Sequence, residues 1–289
     1  MLVGVVILKI KKLGIISKGQ DGAVFHGYLF RFNADGSCNV YRLADLSDAS
    51  VPVCRFVLDK AELIVPHCNS VAFGNAYYSE HDEFPLLYCN VYNNYSKTEN
   101  KRKGITCVYR LEKRGDTFVT TLVQLIEIGF TEDPIWRSEN CSDVRPYGNC
   151  AIDTENGVYY AFTMRDEDRS TRYFAFDMPS FSDGVFDPAI GVKRVVLSKE
   201  EIRSFFDCEY HHYIQGACFH KGILYSVEGF TDSKEQPPAL RLIDVKAQRQ
   251  AQKHHFADHN MTIEPELIDF ENGICYYADH TGNVFELIF

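Results

Sequence analysis

Five times along its length this chain repeats one local pattern: a polar opening, a short apolar run, a connection centred on a turn or loop, and an aromatic-rich strand running back. The clearest copy opens at Glu264-Pro265-Glu266-Leu267, turns at Asn272-Gly273 and returns through Cys275-Tyr276-Tyr277. Asn-Gly supplies the two positive-φ residues that a two-residue β-hairpin requires. Other copies open near residues 20, 67, 147 and 215 and turn at His26-Gly27, at an acidic loop over 75–84, at Glu155-Asn156-Gly157 and at Lys221-Gly222. A single hairpin cannot bury its apolar face, so units of this kind are stable only when they stack on one another.

Each unit continues outward into further strands. Alternation and turn signals predict them at 38–43 and 51–58, then at 85–92, 105–111 and 117–126, and then at 158–163, 172–177 and 192–197. The fourth unit adds a strand at 240–245, and a short helix is predicted over 198–206, capped by Ser198 with Glu200 and Glu201 in its first turn. The fifth unit ends at 282–289 and lacks an outer strand, which the apolar segment 2–9 can supply from the other end of the chain. The reading is therefore all-β: a single domain over 1–289, a five-bladed β-propeller with four strands per blade, the last closed by the N-terminal strand. A sixth blade would have to lie between Asn69 and Arg145, where the strands fill only one.

A net charge of −10 disfavours nucleic acid, whose partners usually carry a basic footprint. The one basic cluster, Lys97, Lys101, Arg102 and Lys103, reads as a solvated hairpin tip. Ten cysteines without zinc or disulfide spacing, with Cys89, Cys107, Cys150, Cys218 and Cys275 inside strand-like runs, read as buried thiols in a reducing, cytoplasmic setting. The apolar residues 1–10 are too few to span a membrane, and their lysines follow the apolar run where a signal peptide would have them first. No membrane partner is expected.

In a propeller the starts of the inner strands gather at one mouth of a central channel. Here they are polar: Gln20, Asp21, His67, Asn69, Arg145, Tyr147, Asn149, Gln215, Glu264 and Glu266. Convergent polar groups in a concavity are the default binding-site expectation. Asp21, Asn69, Asn149, Glu264 and Glu266 offer the oxygen ligands that calcium or magnesium takes. The expected ligand is a carbohydrate or a carboxylate-bearing metabolite; a sugar would bond the carboxylates, amides and Arg145 and stack on Tyr147, Tyr213 or Trp136. Catalytic candidates are His67 as general base with Asp21 as its partner, or Asp21 and Glu266 as a glycosidase pair. His211-His212 and His254-His255 read as loop residues, and the charged segments 79–83 and 164–169 as rim loops suited to a protein partner.

The openings Gln215-Gly216-Ala217 and Glu264-Pro265-Glu266-Leu267, each followed by an apolar run, a glycine turn and a Tyr-rich strand, resemble blade starts of the NHL and gluconolactonase-like propellers. That resemblance implies the propeller fold. It also implies a metal-dependent hydrolase or lactonase, in which a cation held by inner-strand Glu, Asn and Asp polarises a lactone or ester carbonyl. The five units counted here depart from that family's six. The leading expectation is a small polar ligand bound at the channel mouth, with the hydrolase and a protein-interaction scaffold as alternatives.

Overall fold

A computed structural model describes residues 7–91, 104–137, 145–165, 167–211 and 213–289, with the side chains of 145–148 outside that description. The first strand, β1 (Lys9–Ile15), belongs to the last blade. Blade one comprises β2 (Gly22–Phe25), β3 (Tyr28–Phe32), β4 (Ser37–Arg42) and β5 (Cys54–Val57), and blade two β6 (Val71–Phe73), β7 (Leu87–Val91), β8 (Ile105–Arg114) and β9 (Thr117–Ile128). Blade three starts with β10 (Arg145–Asp153), β11 (Val158–Arg165) and β12 (Ser170–Asp177). The chain then returns to blade two as β13 (Val185–Asp187) and β14 (Val192–Leu197) before β15 (Ser204–Glu209) completes blade three. Blade four is β16 (Ile214–His220), β17 (Ile223–Glu228), β18 (Ala239–Asp244) and β19 (Arg249–His255). Blade five is β20 (Pro265–Glu271), β21 (Ile274–Asp279) and β22 (Asn283–Ile288), closed by β1. The protein is a five-bladed β-propeller.

Turn chemistry sets the inner hairpins. His26 and Gly27 (φ 53° and 78°), Lys221 and Gly222 (48° and 81°), and Asn272 and Gly273 (51° and 79°) are two-residue connections with both residues left-handed. That geometry matches the twist of the strands it joins.

Four expectations need correction. The closing strand is Lys9–Ile15, not 2–9, and residues 1–6 lie outside the description. In it Lys11 sits opposite Glu286 and pairs with it at 3.2 Å, and charge on an outer strand discourages further pairing. The segment Val192–Leu197 is not a blade-three strand but runs parallel to β9, whose twelve residues would otherwise leave a long open edge, so blade two has six strands. The helix expected over 198–206 shrinks to one 3-10 turn, Lys199–Glu201, with Ser198 in a capping box. Beyond it Phe206 and Cys208 point inward in alternation, and that period of two makes β15. His254 and His255 lie on β19 and not in a loop, whereas His211 is a buried loop residue.

The core is a ring of five apolar seams, one between each pair of neighbouring blades. Phe30 and Phe32 meet Val71 and Leu87 across blades one and two; Tyr88 and Ile126 meet Tyr159 and Phe174 across two and three. Phe162 and Tyr173 meet Leu224 and Ile243, Val227 and Leu240 meet Ile268 and Tyr277, and Leu267 and Ala278 meet Val24 and Leu29. The five cysteines expected to be buried are buried, as free thiols.

Inner strands approach closely around the channel. A Cβ on Gly216 would stand 2.2 Å from the Glu266 carbonyl oxygen of the next blade, so only glycine fits. Gly216→Ala should destabilise the protein by about 1–3 kcal/mol, the usual cost of overpacking. Urea unfolding followed by circular dichroism measures it, and an unchanged midpoint would refute the close approach.

Candidate functional site

Three blades open with a register shift. Ile214 pairs with Glu228 and Gly216 with Val227, and Pro265 pairs with Asp279 and Leu267 with Ala278, so Gln215 and Glu266 are the extra residues of β-bulges. β10 shifts between Arg145 and Asn149 in the same place. A bulge bends its strand and re-aims a side chain. Here it turns polar openings toward one another.

Glu266, 1% exposed, is the centre of that convergence. Its Oε1 accepts from Gln20 Nε2 at 3.3 Å and from His280 Nδ1 at 2.9 Å. Its Oε2 has no partner among the described residues. Gln215 Nε2 donates to Glu264 Oε1, while the Glu264 backbone N–H donates to Thr231 Oγ1 at 3.0 Å. One ligand atom each from Glu264, Glu266 and His280 lie within 4.8 Å of one another. Behind them Arg31 on β3 is fully buried, its Nη2 donating to the carbonyls of Gly19 and Asp279 at 2.9 and 2.7 Å. Arg31 Nε and Nη1 have no partner among the described residues.

The electrostatics follow from burial. Loss of water lifts the Glu266 carboxyl to about 7, against the opposing pull of the His280 hydrogen bond and the Arg31 charge. Burial likewise raises Glu264 and lowers Arg31. The hydrogen bond to Glu266 raises His280 above its ordinary value.

Of the other expected site residues Asp21 serves the fold, and Asp269 and Ser70 bond the backbone of a neighbouring blade in the same way. Asp21 Oδ2 accepts the Val71 N–H of the next blade at 2.8 Å, Asp269 Oδ2 accepts the Val24 N–H at 2.8 Å, and Ser70 Oγ accepts the Cys150 N–H at 3.1 Å. Inner strands are sheet edges, and their free N–H groups need acceptors. Burial pushes Asp21 well above the usual carboxylate range. Asn69 and Asn149 each accept from Asn90 Nδ2, at 3.0 and 2.7 Å, in a buried cluster joining blades two and three. The oxygen set expected for calcium or magnesium is therefore divided, because Glu264 and Glu266 group with His280 and not with Asp21.

His67 is half-buried, and burial lowers its pKa below the ordinary imidazole value. Trp136 is a core residue stacked on Phe174 at 5.2 Å between ring centroids, not a ligand platform. Tyr213 packs on Phe230 at 4.3 Å. Arg145 and Tyr147 lie on β10 with side chains outside the description, as are the basic cluster at 97–103 and His212. In the 79–83 loop, Asp82 receives Arg110 Nε at 3.0 Å and Nη2 at 2.6 Å, which pins the loop to β8.

Two members of the cluster escaped the sequence reading. His280 follows the return strand of the fifth unit, and an antiparallel hairpin brings that end beside the opening; the His280 N–H donates to the Glu264 carbonyl at 2.7 Å. Arg31 is the one charged residue of β3, and that interruption of an apolar strand was the available signal.

No protein-family model matches the chain, and no curated protein matches it. A search of solved structures finds BamB from Moraxella catarrhalis, at 9% identity and a TM-score of 0.32, over 93% of this chain. The chain spans 58% of that structure's length. Among the described residues no helix is long and apolar enough to cross a membrane. Fold and site together define a five-bladed propeller with an acidic, bulge-built cluster at one channel mouth.

Glu266 holds its proton more tightly folded than unfolded, as does Asp269, which burial also lifts to about 7. Each adds stability that is complete below the unfolded carboxyl range and is lost as pH rises through about 7. The melting temperature should fall across that window, and Glu266→Gln should make the fall shallower. Equal slopes in differential scanning fluorimetry would show that Glu266 does not titrate there.

Proposed function

We propose that this mouth binds a small, hydroxyl-rich ligand of the carbohydrate class. The observation that carries the reading is the buried Glu266 Oε2, which lacks a donor among the described residues and sits beside a second carboxylate, an imidazole and two amides. A buried acceptor without a donor is costly, and a ligand hydroxyl would satisfy it. Glu264 and Glu266 together favour a molecule that donates hydrogen bonds over one that brings its own carboxylate, because like charges repel. Saturation-transfer NMR against a panel of mono- and disaccharides should find a binder, and Glu266→Gln should weaken it by about tenfold or more, the worth of one hydrogen bond to a charged group. The reading fails if no sugar binds, or if the variant binds as the parent does.

A second reading rests on the 4.8 Å grouping of Glu264, Glu266 and His280. Those atoms suit one divalent cation, and a ligand set that includes imidazole favours manganese or zinc over calcium or magnesium. Either ion would then raise the melting temperature, by mass action, in the parent protein and not in Glu264→Gln. A shift with calcium alone, or with no ion, removes this reading. A lactonase-like hydrolysis would use the same three residues, since Asp21, Asn69 and Asn149 are engaged elsewhere.

A further inference from the structure

The inner strands end at the opposite mouth of the channel, and there the chemistry changes. A cavity of about 390 Å³ is lined from the closing residues of all five, with Phe25, Phe73, Ile152, Phe219 and Asp269 each from a different blade. Aromatic rings form much of the wall. Phe25 packs on Phe73 at 5.0 Å between centroids, Phe270 stacks on His220 at 4.2 Å, and Tyr77 is 44% exposed.

One carboxylate lies among these rings. Asp269 accepts the Val24 N–H through Oδ2 and the Phe270 N–H through Oδ1, both at 2.8 Å, and makes no ion pair among the described residues. Each oxygen of a carboxylate can accept twice, so each retains capacity. Among the described residues the cavity lining includes no lysine or arginine, and burial holds His220 below the ordinary imidazole value. An adjoining groove of about 480 Å³ shares Phe25, Tyr77 and Phe270 and adds Glu83 and Glu271, together with His26, whose ring stands 3.5 Å from Glu83.

An organic cation is the complement of such a wall. Ring faces attract positive charge through their quadrupoles, and the carboxylate supplies the counter-charge in a partly desolvated setting. The volume lies within the range of small-molecule sites. Loss of water has lifted the Asp269 carboxyl to about 7, as befits a half-buried acid without a cationic partner among the described residues.

We propose that this second mouth binds a small alkylammonium cation, with Asp269 as counter-charge and Phe25, Phe73, Phe270 and Tyr77 as the aromatic wall. The site lies at the far end of the inner strands from Glu264, Glu266 and His280, so its fate is independent of theirs.

The probe is choline, titrated into the protein by calorimetry beside 3,3-dimethylbutan-1-ol, which has its shape without its charge. Choline should bind at least about tenfold more tightly than the alcohol, the scale of a desolvated cation–π contact with a counter-ion. Asp269→Asn should erase that discrimination. Because Asp269 also bonds Val24, Tyr77→Ala provides a second arm on an exposed ring: it should keep the native circular dichroism spectrum and weaken choline several-fold. Equal binding of the two probes, no binding of choline, or variants that discriminate as the parent does would each overturn the proposal. So would a trimethyllysine peptide that binds more than about tenfold tighter than choline, since it would assign the mouth to a protein partner.

Discussion

The pairing of β1 with β22 closes the ring, and the remaining architecture depends on that closure. Each blade buries apolar side chains against two neighbours, so an open ring would expose both faces of one seam, the one where Val24, Leu29 and Tyr41 pack against Leu267 and Ala278. The antiparallel register from Lys9 opposite Ile288 to Ile15 opposite Asn283 prevents this. Closure makes the five seams equivalent in kind and leaves a channel at the axis.

The channel poses a hydrogen-bonding problem before it offers a binding site. Inner strands are edges, and their free N–H groups point where no further strand can pair. Asp21, Asp269 and Ser70 answer it by reaching from one blade to the backbone of the next. The answer has an electrostatic consequence, because carboxylates so placed lose water and hold their protons more tightly, Asp269 up to about 7 and Asp21 well above the usual carboxylate range. Structural need and chemical potential coincide in the same acids. Asp21 is enclosed by blades, whereas Asp269 keeps one side on a cavity and so can meet a ligand.

The two mouths differ because strand starts and strand ends carry different residues. Starts hold Gln20, Glu264 and the bulge residues Gln215 and Glu266, which meet in a hydrogen-bonded acidic cluster. Ends hold Phe25, Phe73, Phe219 and Phe270 around a single acid. One axis thus presents a polar face and an aromatic one, with Arg31 buried behind the first.

Much of the fold was legible in the residues themselves. Asn272-Gly273, His26-Gly27 and Lys221-Gly222 mark hairpins because each ends in a glycine, which takes a positive φ without steric cost, and the repeating openings set the blade count. Outer strands were less legible: Val192–Leu197 reads as a strand anywhere, and only the exposed edge of β9 decided where it pairs. The site was half legible. Glu264, Glu266, Gln20 and Gln215 could be named from their place at the openings, yet the bulge that re-aims Glu266, the approach of His280 and the diversion of Asp21 to the Val71 N–H depend on pairing register. Local sequence determines what each hairpin is, because turns and alternation are local. Which side chains meet at the axis is decided by ring closure, which brings together residues as far apart in the chain as Gln20 and Glu266.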